Sequence, residues 1–189
     1  MLVKTYGSAV SGIHATTITI EVDVAQGIKF FLVGLPDNAV KESEQRIRAA
    51  LKNNGYRIPG KKITINMAPA DIRKEGSAYD LPLAIGILAA SQQIKSEEAG
   101  NYLIMGELSL DGGLQAIKGA LPIAVKAREE GFKGIILPKQ NAREAAIVSD
   151  LEVLGAETLL DVINFFEGKQ NISATIIDTR AEFFAGLNN

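Results

Sequence analysis

The 189 residues contain no cysteine and a single histidine, His14. Disulfides, thiolate catalysis and cysteine-based zinc sites are thereby excluded. One histidine cannot build a histidine metal cluster. It stands ahead of a strand-like segment and reads as a surface or strand-edge residue. Phosphate-cradling motifs are missing too. Gly7 and Gly12 have the spacing of P-loop glycines, but Ile13-His14 follow where Lys-Ser/Thr is required, and no G-x-G-x-x-G follows a strand. No apolar run reaches the roughly 18 residues of a membrane span, and Met1 to Gly7 hold no apolar signal core, so the chain reads as cytoplasmic. Neither sign of charge dominates: 20 Lys and Arg stand against 22 Asp and Glu. Any hold on nucleic acid must come from a local patch rather than from an overall field.

What is present is the composition of a globular domain, 47% hydrophobic and 22% charged, in a chain long enough for one buried core. Ala15 to Val24 alternates Ile18, Ile20, Val22 and Val24 with Thr and acidic residues, the period of a half-buried strand. Leu2 to Tyr6 is strand-like. Lys29 to Val33 is nearly all apolar and reads as a central strand, so the three segments suggest an antiparallel meander. Asp37 is placed to cap a helix that runs to about Asn54. Lys61 to Met67 is a further strand, and Leu81 to Ala90, apolar on every side, predicts a buried helix. Tyr102 to Leu110 reads as a strand closed by Asp111-Gly112-Gly113, and Gly119 to Glu130 as a helix. Then follow a strand at Gly134 to Leu137, a helix at Ala142 to Val148, a strand at Leu151 to Leu154 and a helix at Thr158 to Phe166. That alternation implies parallel strands. Past Gly168 the periodicity fades. The expectation is one α/β domain over residues 1–167 and a connector over 168–189, where Ile176-Ile177 and Phe183-Phe184 suggest a docking tail.

Function should sit between the fourth strand and the buried helix. There Pro69 to Pro82 forms a charged, glycine-hinged loop, and such loops on rigid scaffolds carry binding and catalysis. Three kinds of chemistry are open to it. Without cysteine, nucleophilic catalysis comes down to a Ser-Lys pair, with Ser77 at the glycine hinge and Lys118 as its partner. Alternatively, Ser77 caps the following helix and Lys118 is a surface charge. Asp71, Glu75 and Asp80, approached by Glu107 and Asp111, form a carboxylate group with the chemistry to hold Mg²⁺, or simply pair with Arg73 and Lys74. Third, Arg57, Lys61 and Lys62 precede the fourth strand, and Arg73 and Lys74 follow it. Arg46, Arg48 and Lys52 lie on the helix before. This basic grouping suits phosphate contacts, or else is a solvated face on which Lys74 is exposed.

Several separated segments together resemble one family. They are Val33-Gly34-Leu35-Pro36-Asp37, Lys41-Glu42-Ser43, the run Pro69-Ala70-Asp71-Ile72-Arg73-Lys74-Glu75-Gly76, Asp80-Leu81-Pro82, and Gly106-Glu107-Leu108-Ser109-Leu110-Asp111-Gly112. In this order they look like the N-terminal domain of the ComM/YifB family, the magnesium-chelatase-like AAA+ ATPases. The resemblance runs from Met1 to about Phe166. It implies a ribosomal-protein-like, Lon C-terminal-domain-like two-layer β-α-β fold, a mixed sheet with helices packed on it. It also implies an attached AAA+ module that binds ATP and Mg²⁺, with no cofactor or metal in this chain. The expected assembly is a homohexameric, ATP-dependent DNA helicase for branch migration in recombination and competence, without membrane contact. Ile177 to Phe184 then looks like the connector to that module. Lon peptidases carry their serine in D-G-P-S-A-G and their lysine in G-G-L-K. Anchored on Gly76 and Gly106, those positions fall here on Ala78 and Leu121. The implied role is a non-catalytic accessory domain that binds DNA or promotes ring assembly. A Lon-like peptidase using Ser77 and Lys118 is the alternative.

Overall fold

The computed structural model describes residues 1–74, 76–95 and 97–177. The expected connector from Asp178 onward, including Phe183 and Phe184, lies outside them, as does Glu75. Nine strands and five α-helices are found among the described residues: β1 (Leu2–Ser11), β2 (His14–Ala25), β3 (Phe30–Val33), α1 (Asp37–Asn53), β4 (Lys62–Ala68), α2 (Asp80–Ala90), β5 (Tyr102–Ile104), β6 (Glu107–Leu108), β7 (Leu114–Gln115), α3 (Ala120–Glu129), β8 (Gly134–Pro138), α4 (Lys139–Ala145), β9 (Glu152–Ala156) and α5 (Leu159–Phe166). Seven strands form a mixed sheet in the order β3-β4-β2-β1-β5-β8-β9, with helices packed on it, and β6 and β7 pair separately. The fold is a two-layer α/β fold of the expected class.

The alternation read in β2 is realised. Ile18, Ile20, Val22 and Val24 are buried, while Thr17, Thr19, Glu21 and Asp23 are half-exposed. All eleven residues of α2 are buried, which is why no face of it is polar. It lies on β1 and β2, with Gly86 against Val22 and the Thr5 hydroxyl donating to the Pro82 carbonyl at 3.0 Å. The parallel set β5-β8-β9 follows the β-α-β-α alternation of the second half.

Four expectations are corrected. β3 is an edge strand rather than a central one, with Phe31 and Val33 exposed. It joins no meander. β1 and β2 are antiparallel, but β3 pairs in parallel with β4 across α1, a connection long enough for a crossover. Asp37 is the first residue of α1, and Pro36 takes the cap position without a side-chain bond. Finally, Tyr102 to Leu110 is two strands, because Met105 and Gly106 leave the sheet and start the β6-β7 hairpin that turns at Ser109 to Gly113. Past α5 the chain runs back beside β9, where the Thr175 amide donates to Val153 and Ala174 bridges Leu154. No described helix is long and apolar enough to cross a membrane.

Candidate functional site

β1 and β5 are parallel neighbours whose connections leave to opposite sides, to β2 and towards β8, so a switch point lies between them. In open α/β sheets, the crevice outside the strand ends at such a point is where ligands bind. An open cleft of about 600 Å³ occupies that place. Its floor and walls come from the end of β1 (Ser8 to Ser11), the loop after β4 (Arg73, Gly76, Ser77, Ala78), the β5-β6 link with Glu107, and the segment before α3 (Ala116 to Lys118). Gly76, at φ +67°, supplies a left-handed turn that a side chain would disfavour, so the loop can swing from its exposed part into the 3₁₀ turn Ser77–Tyr79.

The loop is anchored below the cleft. Asp80, with 0% of its surface exposed, opens α2 and accepts four hydrogen bonds. Arg46 of α1 donates from Nε at 2.6 Å and from an η nitrogen at 3.1 Å, Ser43 Oγ at 2.9 Å, and the Leu108 amide of β6 at 3.1 Å. One carboxylate therefore joins α1, α2 and the β6-β7 hairpin. Burial holds its carboxyl above the usual carboxylate range, and the bonds from Arg46, the Leu108 amide and Ser43 offset this only in part. Four donors and no acceptor fit the ionised form. The guanidinium of Arg46 is in turn raised, chiefly by its hydrogen bond to Asp80.

The sequence-derived candidates divide. Ser77 and Lys118 do line the same cleft, although no hydrogen bond joins them among the described residues. Ser77 is not a helix cap: neither the 3₁₀ turn nor α2 has a side-chain cap bond. Among the described residues, which leave out Glu75, the carboxylate group does not assemble. Asp80 turns inward to Arg46 rather than to Arg73 or Lys74, and no group of three metal-ligating side chains is found among the described residues. The basic candidates are also split. Arg57 and Lys61 before β4 and Lys62 at its start are exposed, while Arg73 is exposed after it. β4, which separates them, is about 20 Å long at ~3.3 Å per step. Lys74, read as a solvated charge, is instead 3% exposed. Its ammonium donates to the carbonyls of Pro69 at 2.7 Å and Ile72 at 3.0 Å.

Arg46, grouped in the sequence with the basic residues for phosphate, and Ser43, named only within a motif, are instead the partners of Asp80. The signal was present for Ser43, a polar residue on the helical stripe shared with Ile47 and Ala50. For Arg46 the pairing gave none, because its partner lies 34 residues away in sequence. Asp37, Gly34 and Pro36 do not line the cleft; they shape the turn from β3 into α1.

The fold and the cleft define an α/β domain with a switch-point crevice and an ion-paired loop beside it. Residues 20–141 match the family described as subunit ChlI of Mg-chelatase. The chain is 42% identical over 186 residues to the competence protein ComM of Haemophilus influenzae, covering 97% of this chain and 36% of that protein. It is 44% identical over 162 residues to YifB of Escherichia coli, covering 85% of this chain and 32% of that one. The chain belongs to this magnesium-chelatase-like ComM/YifB family. It spans about a third of the length of those relatives. A more distant likeness, 26% identity over 184 residues, links 90% of the chain to 23% of a peroxisomal Lon protease homolog of Caenorhabditis elegans.

Proposed function

We propose that this is a non-catalytic accessory domain of an ATP-driven motor that works on DNA, and that the switch-point cleft takes the phosphate backbone. ATP and Mg²⁺ would bind the motor's AAA+ module, within a homohexameric ring. The observation that carries the reading is the cleft's make-up. Among the described residues, Arg73, Lys118 and the serines of β1 line it with the carboxylate of Glu107. α3 begins beside Lys118, and the positive end of a helix favours anions. Phosphate-tracking surfaces combine these elements without needing base-specific groups. Titration of single-stranded and branched DNA at several salt concentrations tests it. The expected result is binding that weakens linearly in log salt. No salt-dependent binding, in this chain or in a longer protein containing it, removes the DNA role.

A second reading has one observation in its favour: Ser77 and Lys118 meet in one cleft, and the serine hydroxyl is not spent on a cap. A Lon-like peptidase would need that lysine to deprotonate that serine. Ala78 and Leu121 stand at the Lon pattern's positions, which favours the accessory role. The expected outcome is that an unfolded protein substrate is cut no faster by the native chain than by Ser77→Ala. Cleavage lost on that substitution would establish the peptidase.

A further inference from the structure

Among the described residues, Lys74 is the one buried lysine. Lysines are almost never fully buried without a compensating partner. Here the partner is the loop's own main chain, at residues five and two positions earlier. The ammonium thus closes residues 69–74 into a ring of hydrogen bonds, with no other element of the fold contributing. Burial lowers its pKa, and the nearby Asp71 opposes that. Arg73, within this ring, and Gly76 and Ser77, just after it, line the cleft.

We propose that Lys74 is a positioning residue of the cleft: its ammonium, bonded to the Pro69 and Ile72 carbonyls, sets the loop backbone that presents Arg73 and Ser77. The inference rests on the cleft reading for its consequence, but the order of the loop is measured separately from DNA binding. A methionine at 74 would fill nearly the same volume and donate nothing. The lack of native cysteine makes a chemical rescue selective. Lys74→Cys, alkylated with 2-bromoethylamine while unfolded and then refolded, carries an ammonium at almost the lysine's reach. The same variant alkylated with a propyl group has the length without the charge.

Hydrogen exchange in the full chain is the readout, with the amides of residues 71–74, 76 and 77 compared with those of α2. In Lys74→Met the loop amides should exchange roughly tenfold faster or more, the effect of losing hydrogen bonds from a charged donor, while the α2 amides change far less. The aminoethylated chain should return to native protection and the propylated chain should not. Unchanged loop exchange in Lys74→Met, or equal rescue by both alkyl groups, overturns the proposal. Should the variants fail to fold, competitive acetylation of the native chain decides. Lys74 should react at least tenfold more slowly than Lys61, Lys62 and Lys118, and equal reactivity overturns the proposal. A loop ordered by Lys74 in a chain that binds no DNA would remove the cleft's DNA role and leave the positioning role standing.

Discussion

Replacing Asp80 with alanine should lower stability by about 3 kcal/mol, the low end of the range for breaking a buried ion pair. The low end applies because Arg46 keeps 21% of its side chain exposed, so its orphaned charge is partly rehydrated. The larger part of the loss is structural. Asp80, at the start of α2, accepts from Ser43 and Arg46 of α1 and from the Leu108 amide of β6, and alanine accepts nothing. With a urea slope of about 2–3 kcal/mol/M for a domain of this size, the midpoint should fall by roughly 1 M. Ser43→Ala, which removes one hydroxyl and leaves the carboxylate with three donors, should cost about 1 kcal/mol. The double variant Asp80→Ala with Arg46→Met should be more stable than the sum of the single losses, because it leaves no unpaired charge. A loss under about 1 kcal/mol for Asp80→Ala would show that the pair does not fasten the loop.

Gly34→Ala should be comparably damaging for a different reason. Gly34 has φ +110°, and a Cβ built there would stand 2.5 Å from the Met67 carbonyl oxygen and 3.0 Å from the Met67 Cβ. That oxygen belongs to β4, which is held between β3 and β2, so the backbone cannot give way cheaply. Strain at positive φ costs about 1–2 kcal/mol, and overpacking adds about 1–3. A total near 3 kcal/mol corresponds to a fall in Tm of roughly 6–12 °C for a chain of this length. Gly55→Ala isolates the clash. Gly55 has φ +82° with nothing near its would-be Cβ, so it should show only the strain, roughly 1–2 kcal/mol. Equal losses at the two glycines would mean that β3 can move off β4 freely.

Particular residues show how far the sequence could be read. The buried helix was legible because Leu81 to Ala90 offers no polar face, and β2 because its alternation runs unbroken through four buried positions. β3 was not. Four apolar residues in a row look alike at the centre of a sheet and at its edge, and only the pairing partner tells them apart. The cleft was partly legible. Ser77 and Lys118 were singled out from opposite sides of a 41-residue gap in the numbering and do share a cavity. The ion pair under the cleft was not legible, since charge in a sequence carries no direction. Asp80 looked like a neighbour of Arg73 and Lys74, yet helix geometry turns it to Arg46. Lys74 looked solvated because lysine almost always is. Its burial depends on two carbonyls whose orientation no residue pattern encodes.

The salt dependence of DNA binding by two sets of variants tests the central claim most directly, that the switch-point cleft holds the phosphate backbone. One set is Arg73→Ala with Lys118→Ala, in the cleft. The other is Arg57→Ala, Lys61→Ala and Lys62→Ala, around the start of β4 and outside the cleft lining. On duplex DNA the cleft pair should flatten the slope of log affinity against log salt by about 1.8, or 0.9 for each lost phosphate contact, while the distal set leaves it nearly unchanged. A slope flattened by the distal set and untouched by the cleft pair would contradict the account.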